Sequence, residues 1–66
     1  MEFSEKVLFV RVKLNLTQDE LAKKLNVSLP TVSRWENGNG TPNRKARMAF
    51  DLLCKESDIV FEEDEK

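Results

Sequence analysis

The stretch "LTQDELAKKLNVSLPTVSRWENG", Leu16 to Gly38, decides how the chain folds. Thr17 and Glu20 have the spacing of a capping box, and Asp19 with Glu20 suits the positive amino end of a helix. Leu21, Ala22 and Leu25 then form its inner stripe. Asn26 tolerates positive φ, Val27 is an apolar plug, and Ser28 can cap a second short helix. The two helices are thus separated by about three residues, the length of a helix-turn-helix connection. In the second helix, a rotation of about 100° per residue puts Val32, Trp35 and Glu36 on one side. Pro30, Ser33, Arg34 and Asn37 fall opposite. Pro30 lies in the first turn, where a missing N–H costs little, and Gly38 supplies the stop.

Upstream, Phe3, Val7, Val10 and Leu14 recur at i, i+4, i+7 and i+11, with Leu8 and Val12 beside them. This spacing predicts a helix opening near Ser4 and stopping at Asn15. "VLFVRV" is rich enough in β-branched and aromatic residues to suggest a strand, but it does not alternate cleanly and no second strand offers it a ladder. Downstream, Asn37 to Pro42 reads as a loop. "TPNRKARMAFDLLCKE" predicts another helix, with Thr41 as cap, Pro42 at the first helical position, and Ala46, Ala49, Phe50 and Leu53 at core spacing. "SDIVFEEDEK" fits a short helix capped at Ser57 or an edge strand. The expected fold is all-α, a compact bundle of four to five helices containing the helix-turn-helix. Residues 1–56 form its domain and 57–66 a short acidic C-terminal segment, either a dimer contact or a disordered tail.

At 66 residues this is one small domain, near the size where a single core is only marginally stabilising and self-association helps. There is no histidine and one cysteine, Cys54, so a disulfide framework, a Cys/His zinc site and histidine-based acid-base chemistry are excluded. No metal site, cofactor or enzymatic activity is expected. Cys54 reads as a small buried hydrophobe, and an unpaired thiol fits a reducing compartment. The opening "MEFSEKVLFV" does not resemble a signal peptide, and no run approaches the roughly 20 apolar residues of a membrane span. The expected location is the cytoplasm. The formal net charge is -1, but its distribution is uneven. Residues 1–55 carry ten Lys or Arg against six Asp or Glu, whereas 56–66 carry Lys66 against six acidic residues. A mildly basic domain therefore precedes an acidic tail, which solubilises or engages a partner.

Leu16 to Pro42 resembles the phage-repressor and Cro type of helix-turn-helix, the XRE-like family of bacterial and phage transcription regulators. The family's pattern falls here on Arg11, Thr17, Gln18, Leu21, Ala22, Leu25, Val27, Ser28, Val32, Ser33, Trp35, Glu36, Gly38 and Pro42. With the flanking helices the resemblance covers about residues 3–55 and implies a lambda-repressor-like bundle. Asn15 and Asn26 stand where the family usually has glycine, and asparagine is the next-best residue for left-handed backbone.

A helix of this width fits the major groove of duplex DNA, its amino-terminal residues meeting base edges. On that reading Leu29, Pro30, Ser33 and Arg34 face bases. Arg34 alone can make a bidentate contact with guanine, and Leu29 with Pro30 would press against thymine methyls. The resemblance makes Gln18 a phosphate contact that also buttresses the reading helix. Thr31, Asn37, Asn39, Asn43, Arg44 and Lys45 are further candidates for positioning contacts to phosphates, with Arg47 adding positive charge. The resemblance also places Arg11 against Glu36 as a structural ion pair, and Trp35 reads as core. The expected function is a sequence-specific double-stranded DNA-binding transcriptional regulator, most simply a repressor occupying an operator as a homodimer. Its expected dimer surface combines Phe50, Leu53 and Cys54 with Ile59, Val60 and Phe61. An alternative is an antitoxin-like or antirepressor-binding module whose acidic tail engages a protein partner.

Overall fold

A computed structural model describes residues 1–61. Among them are four helices: α1 (Phe3–Lys13), α2 (Gln18–Leu25), α3 (Leu29–Glu36) and α4 (Arg44–Glu56). Helices this short do not hold alone in water, so each depends on its start, its stop and its packing.

The starts follow local capping chemistry. At α1, Glu5 Oε1 accepts the Glu2 backbone N–H at 2.9 Å. At α2 the capping box is complete: Thr17 Oγ1 accepts the Glu20 N–H at 3.1 Å and Glu20 Oε1 accepts the Thr17 N–H at 2.8 Å. Ser28 Oγ accepts the Thr31 N–H at 3.3 Å to open α3. The expected start of α4 at Thr41 and Pro42 is two residues early. Asn43 is the cap, its Oδ1 accepting the Ala46 N–H at 2.8 Å. Asparagine outranks threonine at this position, which shifts the boundary and leaves Pro42 just outside the helix.

All four described helices end in the same way. Asn15 (φ 58°), Asn26 (φ 60°), Gly38 (φ 75°) and Asp58 (φ 57°) each adopt left-handed backbone within two residues of a helix end. The next residue then donates its N–H five residues back: Leu16 to Arg11 O, Val27 to Ala22 O, Asn39 to Arg34 O and Ile59 to Cys54 O, at 2.8–2.9 Å. This is the Schellman stop, which satisfies carbonyls that the helix leaves open. Asp58 was not expected in this role. Ser57 therefore ends α4 instead of starting a fifth helix, and residues 57–61 form neither helix nor strand.

The core gathers Val7 and Val10 of α1, Leu21, Ala22 and Leu25 of α2, Val32 and Trp35 of α3, and Ala46, Phe50 and Cys54 of α4. Phe3 ties them together, meeting the Trp35 ring edge-on at 5.5 Å and the Phe50 ring at 5.2 Å. Ile59 and Phe61 complete the core, and Phe61 also meets Phe9 at 5.7 Å with Lys6 Nζ 5.2 Å from its ring centre. Most of the surface expected for dimer contact is thus internal: Phe50, Cys54, Ile59 and Phe61 are buried and only Val60 is well exposed. The expected acidic tail from Glu62 to Lys66 lies outside the described residues.

The left-handed positions can be tested by substitution. Asn26→Gly should leave stability within about 0.5 kcal/mol, because glycine exchanges strain for entropy. Asn26→Val and Asp58→Val should each lower it by about 1–2 kcal/mol in urea denaturation, with helical content retained below the transition.

Candidate nucleic-acid interface

α3 is seated by one face and presents the other. Val32 and Trp35 are buried against α1 and α2, while Leu29, Pro30, Arg34 and Asn37 are exposed and Ser33 is half-buried. Ala22, almost completely buried, keeps the close side of α2 small enough for α3 to approach. The division between faces is the one expected from helical spacing.

The carboxyl end of α3 is fixed by a polar cluster. Glu36 Oε2 accepts from Arg11 Nε at 2.7 Å, and Glu36 Oε1 accepts from Arg11 Nη2 at 3.3 Å and from Gln18 Nε2 at 2.9 Å. Arg11 Nη1 also donates to the Leu16 carbonyl at 3.3 Å, across the turn after α1. One carboxylate therefore joins α1, the first residue of α2 and the end of α3, and the expected Arg11–Glu36 pair is present. Burial alone would raise the Glu36 pKa, but the hydrogen bonds from Arg11 and Gln18 and the positive charge of Arg11 outweigh it and hold the carboxyl below its ordinary value. The same hydrogen bond raises the Arg11 guanidinium.

The remaining candidates divide by what their side chains do. Gln18 has one amide N–H committed to Glu36, and an amide nitrogen carries a second. The half-buried Thr31 shares a 2.8 Å hydroxyl contact with Ser28 at the start of α3. Asn43 spends its carbonyl oxygen on the α4 cap and, with Lys45, lines a groove beside Asn26 and Val27 of the α2–α3 turn. Asn37, Asn39 and Arg44 are exposed. Arg47 turns elsewhere: its Nε lies 3.3 Å from Asp51 Oδ1 and its guanidinium 5.7 Å from the Phe3 ring centre. Sequence reasoning missed Gly40, where an added Cβ would meet Arg34 Nη2 at 3.4 Å. The loop after α3 thus flanks the Arg34 guanidinium, a contact that helical spacing could not reveal because Gly40 lies outside the helix.

A helix-turn-helix family model matches residues 9–46, from the middle of α1 through the first turn of α4. The chain belongs to the XRE/Cro-type helix-turn-helix family. This helix-turn-helix chain is 48% identical over 46 residues to the HTH-type transcriptional activator BcrR of Enterococcus faecalis, covering 70% of this chain and 22% of that protein. It is 34% identical over 68 residues to the HTH-type transcriptional regulator DicA of Escherichia coli K12, covering 100% of this chain and 50% of that protein. An uncharacterized HTH-type transcriptional regulator of Methanocaldococcus jannaschii, MJ0272, is 40% identical over 65 residues, or 91% of this chain and 96% of that protein. The chain thus spans half or less of the length of BcrR and DicA. No solved structure matches it.

The depressed Glu36 pKa fixes the sign of a pH effect. Its contribution to stability is present above the ordinary glutamate value of 4.5 and is lost as pH falls through the lower folded-state value. Thermal melts between neutral and strongly acidic pH should show this loss in the native chain and a flatter acid limb in Glu36→Gln. Arg11→Ala should cost about 1–3 kcal/mol at neutral pH, because a partly buried carboxylate loses its charged donor.

Proposed function

We propose that the chain is a sequence-specific double-stranded DNA-binding transcriptional regulator that occupies an operator as a homodimer, in the cytoplasm. The observation that carries this is α3: a helix clamped at both ends and along one face, with Leu29, Pro30 and Arg34 exposed and Ser33 half-buried. A helix held this way can enter a major groove without first losing conformational freedom. BcrR is named a transcriptional activator and DicA a transcriptional regulator, which supports the same class of activity here.

In this reading Arg34 donates to guanine O6 and N7, Ser33 supplies a hydroxyl, and Leu29 with Pro30 packs against thymine methyls. Gln18, Thr31, Asn37, Asn39, Asn43, Arg44 and Lys45 hold the phosphates on either side and set the register. Gln18 then has two roles, since the amide that meets phosphate also holds Glu36 at the end of the reading helix. Two copies are needed because one module of this size covers too little DNA for strong discrimination, and half-sites about one helical turn, roughly 34 Å, apart suit a two-fold pair. Repression is the simplest outcome, by occupancy of a site that overlaps a promoter.

Titration of the purified protein against DNA recovered by genomic-fragment selection, at several salt concentrations, tests the reading. Arg34→Ala should weaken binding by about 1–3 kcal/mol and relax preference at a single base pair of each half-site. Lys45→Ala should weaken all sites alike and reduce the salt dependence by about one phosphate contact per protomer. Unchanged affinity and preference in Arg34→Ala would remove α3 as the reader.

A further inference from the structure

The buried stripe of α1 is only half of its apolar surface. Val7 and Val10 face the core, yet Met1, Leu8, Phe9 and Val12 remain 55%, 45%, 43% and 66% exposed and line one open groove with Glu5. The helix is apolar on both sides, a pattern that belongs to helices covered on both sides. The groove continues toward the C-terminal segment, because Phe9 meets Phe61 at 5.7 Å. A contiguous patch of this kind on a small domain marks an interaction surface.

We infer that this face of α1 pairs with the same face of a second copy, the two helices running antiparallel. Charge selects the occupant and the direction. Glu5, Phe9 and Lys13 follow one another at intervals of four, so they lie on one side of the helix with an acid toward its start and a base at its end. A two-fold axis beside Phe9 sets Glu5 of each copy against Lys13 of the other, while Leu8, Phe9 and Val12 close the centre. Parallel pairing would oppose acid with acid and base with base. Antiparallel helices also oppose their macrodipoles favourably. Lys13 is exposed and has no ion-pair partner among the described residues, so it enters the pair without breaking a contact.

The pairing leaves the reading surface free. α1 meets α3 through the side that carries Phe3 and Arg11, whose partners are Trp35 and Glu36, and the exposed groove lies away from that side. The inference deepens the dimer of the preceding reading by giving it a surface, but self-association without DNA stands or fails independently of DNA binding. Four large apolar side chains lie at the low end of what holds a stable interface, so the dimer is concentration dependent.

Sedimentation equilibrium of the full chain without DNA, from low micromolar to near-millimolar concentration, tests it. Val12→Asp and Leu8→Asp replace exposed side chains outside the core cluster and should each raise the dimer dissociation constant about tenfold or more, with the helical circular dichroism retained. Lys13→Glu should weaken pairing by setting acid against Glu5, and adding Glu5→Gln, which keeps the oxygen that accepts the Glu2 N–H, should recover it. A chain that stays monomeric throughout, or a dimer indifferent to Val12→Asp, overturns the assignment and gives the face to another partner. Failure of the double variant to recover overturns the antiparallel register.

Discussion

The carboxylate of Glu36 is the point at which α1, α2 and α3 are held in one arrangement. A partly buried charge is unfavourable unless its lone pairs are filled, and Arg11 with Gln18 fills them from two different helices. Apolar burial is non-directional, so Val32 and Trp35 alone would seat α3 without fixing its rotation. The guanidinium fork and the amide add direction, because each must meet a particular oxygen. α3 is only eight residues long, and this clamp at its carboxyl end complements the Ser28 cap at its start. The exposed side of α3 is therefore set by groups that lie beneath it.

A second constraint governs how four helices fit into 61 described residues. Each stop reverses the chain within two residues, and after α1, α2 and α4 the residue that follows the left-handed position is apolar. Leu16 and Val27 pack against the core and Ile59 is buried in it, so the helix ends and the tertiary contacts are made by the same turn. After α3 that place is taken by Asn39, which is exposed. The chain there leaves the core instead of returning to it, and the resulting loop brings Gly40 beside Arg34. The exception in the pattern of stops falls next to the surface that carries the candidate reading residues.

What could be read from the residues was whatever depended on neighbours a few positions away. The capping box at Thr17, the left-handed Asn15 and Asn26, the Ser28 cap and the two faces of α3 are local matters, and all of them are present. The end of α4 was misjudged for a local reason as well: Ser57 looks like a cap, and aspartate is a less common left-handed residue than asparagine or glycine, so Asp58 gave a weak signal. The placement of Ile59 and Phe61 could not be read at all, because it depends on Lys6, Phe9 and Phe50 arriving from distant parts of the chain. Arg47 illustrates the same limit. With Arg44 and Lys45 it reads from sequence as added positive charge near the backbone, yet Phe3 and Asp51 engage it.

The charge distribution bears on how such a surface would discriminate. Proteins that bind DNA chiefly by counterion release carry a large excess of Lys and Arg, and they hold any sequence firmly at low salt. Here the whole chain has a formal charge of -1, with its acidic residues concentrated after α4. On the proposed reading, little affinity comes from charge alone, so most must come from groups that distinguish one base pair from another. The proposed reading face of α3 fits that division: the Arg34 guanidinium would read by hydrogen bonding, while Leu29 and Pro30 would respond to methyl groups and groove shape and bring no charge. Such a surface gains specificity by having little affinity to lose at wrong sites. In the proposed dimer the second copy would supply strength, because doubling the contacts raises affinity at a paired site without raising it at a single chance match.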